Sequence, residues 1–384
     1  MGYFKKKILI VVMSLSTGGT TTALKALMQT SFSKDNDISI LMLCNTGIAQ
    51  NPELEKYIIM PGKLAQLWFL NIANASLLTK ILMLPIKVIK NTPWLGNRIN
   101  TMIAKHIAKS IEKKELYDTV ISFTEHIVPG IVQHFKNENK IVWIHCDYGN
   151  AIKLDEEHIL KKYRKIVCVS KFTRDSFAKR YPSLDDRTIY IYNVCSTDSI
   201  KAKSEEEIND RLFDTSVFTI ISIGRIAPVK RFHEVPAIAR KLKNIGCAFK
   251  WYIIGGGSNK EINKINVAIQ SNGVMDEVIM LGARSNPFPY LKRADLLVST
   301  SESEACPMIF NEAKILATPI VSADFGSSYE FIKQSVDGYI TPIENMHNVI
   351  EKLITDNAEY SKLSPSIDKE LLEESIIAKI NNII

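Results

Sequence analysis

Short runs of consecutive apolar residues recur along the chain, separated by stretches with helical periodicity. Ile8–Met13 is the first run, and a helical pattern over Thr20–Thr30 follows it. Ile38–Leu43, Thr119–Phe123, Ile141–His145, Lys165–Val169 and Thr188–Tyr192 repeat the motif, with helical patterns over Arg98–Lys113 and Phe172–Arg180. Runs this short and this apolar read as strands buried on both faces, the mark of a parallel sheet covered by helices.

Residues 196–216 (STDSIKAKSEEEINDRLFDTS) are polar and carry no strand pattern. The alternation then restarts. Strands are expected over Phe218–Ile223, Lys250–Ile254, Val278–Leu281, Asp295–Ser299 and Ile320–Ala323. Helices are expected over Phe232–Leu242, Glu261–Gln270, Pro289–Arg293, Pro307–Ala317 and Tyr329–Gln334, and Met346–Ile384 reads as two or three amphipathic helices. The pattern predicts an α/β chain: a Rossmann-like domain over 1–196, a linker over 197–216, a second Rossmann-like domain over 217–345, and C-terminal helices over 346–384 that pack back toward the first domain. Two such domains facing across a cleft hold ligands at the carboxyl ends of their sheets.

A length of 384 residues suits two domains, and 46% hydrophobic with 23% charged residues excludes disorder. The six cysteines stand at least 22 residues apart, so there is no C-x-x-C pair, and a reducing, cytoplasmic setting is expected. The net charge of +7 is unevenly spread: residues 1–196 hold 27 basic and 16 acidic residues, the remainder 21 and 25. Between Glu55 and Glu112 there is no acid and there are eight Lys or Arg. Such an asymmetry points to a polyanion, either nucleic acid or an anionic membrane. The basic region lacks interleaved surface aromatics and any nucleic-acid-binding motif, which favours the membrane.

Lys5-Lys6-Lys7 before Ile8–Met13 resembles a signal peptide, but no small-x-small site follows and Gly18-Gly19 arrives at once, as after a strand. Leu64–Ile89 contains Gln66, Asn71, Asn74, Lys80 and Pro85, too polar to span a bilayer. Its Leu67, Trp68, Phe69, Leu77, Leu78, Ile81, Leu82 and Leu84, flanked by Lys63, Lys80, Lys87, Lys90 and Arg98, suit an interfacial segment on the inner face of a cell membrane.

The G-x-G-x-x-G dinucleotide fingerprint, the phosphate loop G-x-x-x-x-G-K-[ST] and the G-x-S-x-G elbow are all missing. Asp35-Asn36-Asp37 precedes a strand, the wrong end for a ligand, and no cluster has metal-ligand spacing. Three features remain. Gly224-Arg225 follows the strand Phe218–Ile223, with Lys230 five residues on, and two cations beside a helix start suit a diphosphate. In SESEACPM, Glu304 precedes a helix that contains Glu312, and amides of Cys306, Pro307-Met308 and Ile309 lie at its start. Acids beside a phosphate-binding helix start suit sugar or ribose hydroxyls. The third is Asp324-Phe325-Gly326-Ser327-Ser328 with Glu330.

Jointly, G-R…K, E-x₇-E in SESEACPMIFNEAKILATPIVSADFGSSYEFI and the late Asp337-Gly338 resemble the retaining nucleotide-sugar glycosyltransferases of family four, which have the GT-B fold. The resemblance is dense over Ile220–Pro342 and looser earlier, in LSTGGTTTAL and WIHCD. Ala305 and Cys306 stand where the family usually has glycine and a larger apolar residue.

The resemblance implies transfer of a hexosyl unit from a nucleoside diphosphate sugar, with UDP the expected nucleotide, to a hydroxyl of a glycan acceptor. A lipid-linked acceptor in capsule, exopolysaccharide or O-antigen assembly suits the basic first domain. Arg225 and Lys230 are implied to neutralise the diphosphate in place of a metal, Glu304 to meet the sugar hydroxyls and Glu312 the ribose. Gly224 belongs to the same donor loop, Gly282 frames the base, and the helix start at Cys306, Pro307, Met308 and Ile309 meets the phosphates, Pro307 having no N–H of its own to donate. His145 is placed near the donor sugar, Gly18 and Gly19 near the reacting phosphate, and Glu125 and His126 near the acceptor. Neither a cofactor nor a metal is expected, and no nucleic acid. A catalytically silent GT-B partner subunit and a sugar-nucleotide epimerase are the alternatives.

Overall fold

The computed structural model describes residues 5–16, 18–70, 83–90, 92–148 and 155–384. The chain divides into two compact units: Met1–Val169, Thr173–Tyr192 and Ile377–Ile384 make one, Ser170–Phe172 and Asn193–Ile376 the other.

The first unit carries seven parallel strands: β1 (Lys7–Val12), β2 (Asp37–Met42), β3 (Ile58–Ile59), β4 (Thr119–Ser122), β5 (Lys140–Ile144), β6 (Lys165–Cys168) and β7 (Thr188–Tyr190). Their order is β3-β2-β1-β4-β5-β6-β7. Every pairing is parallel, and Ile8 to Val12, Val120, Ile121 and Ile141 to Ile144 are buried, as continuous apolar runs require. The helix Pro93–Glu112 lays Ala104, Ile107, Ala108 and Ile111 on this core. It starts five residues before the apolar periodicity does, because Pro93 can occupy a first-turn position whose N–H has no intrahelical partner.

The interfacial reading of Leu64–Ile89 is corrected in part. The helix Lys63–Phe69 turns Ala65, Trp68 and Phe69 into the core, and the indole N–H of Trp68 donates to Asn100 Oδ1. Burying both aromatic side chains against the protein core removes their apolar area from water. Leu64 and Leu67, on the other side of the same helix, remain exposed. Leu77, Leu78, Lys80, Ile81 and Leu82 lie outside the described residues, as does Thr17.

The second unit has six parallel strands: β8 (Phe218–Ile223), β9 (Phe249–Ile254), β10 (Val278–Gly282), β11 (Leu296–Ser299), β12 (Ile320–Ala323) and β13 (Gly338–Thr341). They run in the order β10-β9-β8-β11-β12-β13. Ile220, Trp251, Ile253, Val298 and Val321 fill its core under the helix Val235–Asn244 and the helix Met346–Thr355. Two short edge strands, β3 and β13, carry no readable pattern: one has two residues, and the other opens on Gly338 inside an Asp-Gly pair that reads as a turn.

The polar stretch 197–216 is more than a linker. Its helix Thr197–Ser204 packs Ile200 beside Cys195 and Ile315 in the second unit. The C-terminal helices divide. Met346, Ile350 and Leu353 belong to the second unit's core. The last residues belong to the first unit, where Lys6 Nζ donates to Ile384 O at 2.8 Å and Arg164 donates to Ile383 O.

Candidate active site

Strand order in the second unit reverses between β8 and β11. Loops leaving these neighbours at their carboxyl ends diverge to opposite faces and open a crevice, the usual ligand position in such sheets. The loop after β8 carries Gly224, Arg225 and Lys230; the loop after β11 carries Glu304.

Gly255 and Gly257, at the end of β9, hold the first loop. A Cβ on Gly255 would meet Gly224 O at 1.9 Å, and one on Gly257 would meet Ile226 O at 2.3 Å. Without them the backbones could not close, and Gly224 N–H donates to Ile254 O at 3.0 Å and Ile226 N–H to Gly256 O at 2.8 Å. The triple glycine is therefore a packing device beneath Arg225 rather than a dinucleotide loop. Arg225 is exposed, and among the described residues no carboxylate pairs with it. Lys230 folds back so that its Nζ lies 4.0 Å from the point a Gly224 Cβ would occupy.

Lys230 and Glu304 meet in an ion pair whose side chains are 23% and 15% exposed. Ser301 Oγ donates to the same Glu304 oxygen at 2.8 Å, and Ser327 Oγ donates to Glu304 O at 2.7 Å. The third sequence feature, around Asp324–Ser328, thus anchors the second. Arg231 completes the frame: its Nε donates to Thr300 O at 2.9 Å, its Nη2 to Ser301 O at 3.3 Å, and Thr300 Oγ1 donates to Lys230 O at 2.7 Å. Arg231 sits at φ +48°, a left-handed conformation that non-glycine residues hold only when neighbours impose it. Ser301 and Arg231 are not singled out by the sequence, where the serine-rich run Ser299–Glu304 is the available signal for the first.

Glu304 leads into the helix Met308–Ile315, whose N-cap is Pro307 with no side-chain cap. The positive end of its dipole and first-turn amides are suited to an anion. Burial pushes the Cys306 thiol up to about 12, so it stays protonated. Burial likewise pushes the Glu312 carboxyl up to about 7. Gly282 ends β10 with its carbonyl accepting from Gly255 N–H at 3.0 Å.

The first unit repeats the reversal between β1 and β4. Gly18 and Gly19 follow β1 and open the helix Gly19–Met28, and a Cβ on either would meet nothing within 4 Å. The open space admits a ligand, and packing does not require glycine there. Glu125 and His126 follow β4, and His145 follows β5 directly. Glu125 Oε2 accepts from His145 N–H at 3.0 Å. Burial lowers the His145 imidazole below the usual histidine range, so the ring is neutral, and its Nε2 is buried with no partner among the described residues. His126 is exposed, and Glu156 beside it raises its imidazole.

Residues 203–369, which contain Arg225, Lys230, Glu304 and Glu312, match the family described as Glycosyl transferases group 1. A poly(ribitol-phosphate) alpha-N-acetylglucosaminyltransferase of Staphylococcus aureus is 30% identical over 170 residues, 42% of this chain and 34% of that protein. An uncharacterized glycosyltransferase of Methanocaldococcus jannaschii is 27% identical over 181 residues, 46% of this chain and 44% of its own length. Less than half the length of either relative is matched. The crystal structure of Anabaena HepE in complex with UDP superposes with a TM-score of 0.73 over 98% of both chains at 15% identity. The two Rossmann-like units therefore make up a GT-B fold.

Proposed function

We propose that the chain is a retaining glycosyltransferase that moves a hexosyl unit from a UDP-sugar to a hydroxyl of a glycan acceptor. The observation that carries this reading is the Lys230–Glu304 pair at the switch point of a glycosyl transferases group 1 domain, beside an uncapped helix start. The UDP in the HepE crystal and the name of the staphylococcal relative support the donor class.

In this reading a diphosphate takes Lys230 from Glu304, and Arg225 adds a second cation, so leaving-group charge is neutralised without a metal. Amides at Cys306, Met308 and Ile309 meet phosphate oxygens. Glu304, released from Lys230, accepts from sugar hydroxyls, and Glu312 accepts from the ribose. The bond from the anomeric carbon to the diphosphate breaks while the acceptor oxygen bonds to that carbon on the same face. The acceptor proton goes to the departing phosphate oxygen. No nucleophilic side chain is required, which suits a protonated Cys306. Gly18 and Gly19 leave open space at the start of their own helix, His145 is assigned to the donor sugar, and Glu125 and His126 are assigned to the acceptor.

A lipid-linked acceptor at an anionic membrane fits the first unit. Leu64, Leu84, Val88, Trp94 and Met102 are exposed among Lys63, Lys87, Lys90, Arg98 and Lys105. Among the described residues no helix is long and apolar enough to cross a membrane. Peripheral attachment on the cytoplasmic face, during capsule, exopolysaccharide or O-antigen assembly, is the corresponding role.

The test is donor hydrolysis with UDP-galactose, UDP-glucose, UDP-N-acetylglucosamine and GDP-mannose. One UDP-sugar is expected to be cleaved, and Glu304→Ala to lower turnover at least a hundredfold with the melting temperature nearly unchanged. Wild-type turnover in Glu304→Ala would remove the assignment.

A further inference from the structure

The loops after β4 and β5 bring together three side chains of metal-binding type. These strands are parallel neighbours with Ser122 opposite Val142, so residues 125 and 126 run beside 145 and 146. One donor atom each from Glu125, His126 and Cys146 lies within 4.8 Å of the other two. We infer that Glu125, His126 and Cys146 form a binding site for one thiophilic divalent cation of the zinc class.

The donor set is the first reason. Carboxylate, imidazole and thiolate are the zinc-binding side chains, and a carboxylate with a thiolate balances the charge of a dication. Bond lengths of about 2.0–2.3 Å place donors roughly 3.5 Å apart around a tetrahedral ion, so the cluster contracts by about an ångström on binding. Side-chain rotation at the half-buried and exposed positions supplies that movement.

The surroundings are the second reason. Metal ligands are oriented by groups behind them. His145 N–H already holds Glu125 Oε2 at 3.0 Å. Glu156 Oε1 stands 3.8 Å from His126 Nδ1, and its other oxygen is fixed by Tyr148 Oη at 2.7 Å. The Tyr148 ring stacks on the imidazole with centroids 6.3 Å apart. Three protein donors leave one coordination position for water or another oxygen ligand. The site lies wholly in the first unit and does not depend on the glycosyl-transfer reading.

The experiment is a Co²⁺ titration of the full chain after chelator treatment, followed by visible absorption and the ultraviolet thiolate-to-metal band, with Zn²⁺ as competitor. One equivalent of Co²⁺ is expected to give intense four-coordinate bands that Zn²⁺ abolishes. Cys146→Ser removes the thiolate band and weakens binding at least tenfold. His126→Ala, at an exposed side chain, weakens binding as much. Cys247→Ser, a partly exposed thiol of the second unit, leaves the titration unchanged. Wild-type titrations from Cys146→Ser or His126→Ala, or loss of the band in Cys247→Ser, would overturn the site.

Discussion

The Nζ of Lys314 lies 2.8 Å from Oδ2 of Asp337, and neither side chain reaches solvent. Lys314 sits two residues after Glu312 on the helix Met308–Ile315, and Asp337 directly precedes β13. Asp337 Oδ2 also accepts from Lys333 N–H at 3.0 Å, and Asp368 Oδ2 stands 3.3 Å from the same Nζ. The pair ties the helix that carries Glu312 to the edge of the sheet.

Removing one partner of a buried pair leaves the other charge unpaired, at a cost of about 3–5 kcal/mol. Lys314→Met is therefore expected to lower stability by that amount in urea unfolding. The double variant Lys314→Met with Asp337→Asn should recover more than half of the loss. Additive losses would show that the two groups do not act as a pair.

Arg231 combines a strained backbone with a clamp on the Glu304 loop. Arg231→Gly relieves the left-handed conformation, worth about 1 kcal/mol, and loses the two guanidinium bonds. Its melting temperature should stay within a few degrees of wild type while UDP affinity, read by calorimetry, falls several-fold. Arg231→Ala keeps the strain and loses the clamp, so it should be less stable than the glycine variant.

Glu312 predicts a pH dependence. Its carboxyl titrates near 7 in the folded chain against an ordinary 4.5, so the native state holds the extra proton between those values. Stability from this group therefore falls as pH rises from about 4.5 to 7, and Glu312→Gln removes that slope. A ribose hydroxyl needs the carboxylate, so the wild-type affinity for UDP should rise between pH 6 and 8 relative to the glutamine variant. Parallel pH profiles of the two proteins would exclude Glu312 from nucleotide contact.

The helix Pro93–Glu112 presents Trp94, Arg98, Met102 and Lys105 at helical spacing on its exposed side, and the Arg98 guanidinium lies 5.0 Å from the Trp94 ring centroid. Trp94→Glu with Met102→Glu should abolish co-sedimentation with anionic liposomes at low salt and leave UDP affinity unchanged. Equal sedimentation of variant and wild type would remove the membrane role from this face.

Much was legible because it is local or periodic. Apolar runs at β1, β2, β5, β8 and β9 need only their own residues to be recognised, and Arg225, Lys230, Glu304 and Glu312 stand at fixed offsets from them. Trp68 and Phe69 were misread because an apolar aromatic pair looks the same facing lipid or a neighbouring helix. The triple glycine 255–257 acts through a backbone contact with Gly224 and Ile226, about thirty residues away, which no local pattern encodes.

From its sequence alone the chain has two α/β domains, the order of their main strands' residues, and a cluster of phosphate- and hydroxyl-binding side chains in the second. Which side chains touch was decided by tertiary structure. The reversal of strand order at β8 and β11 brings Lys230 to Glu304 across 74 positions, and the parallel pairing of β4 with β5 sets Glu125 and His126 beside Cys146. Periodicity encodes which face of an element is buried. It carries no information on which elements become neighbours, since that follows from packing of the whole sheet.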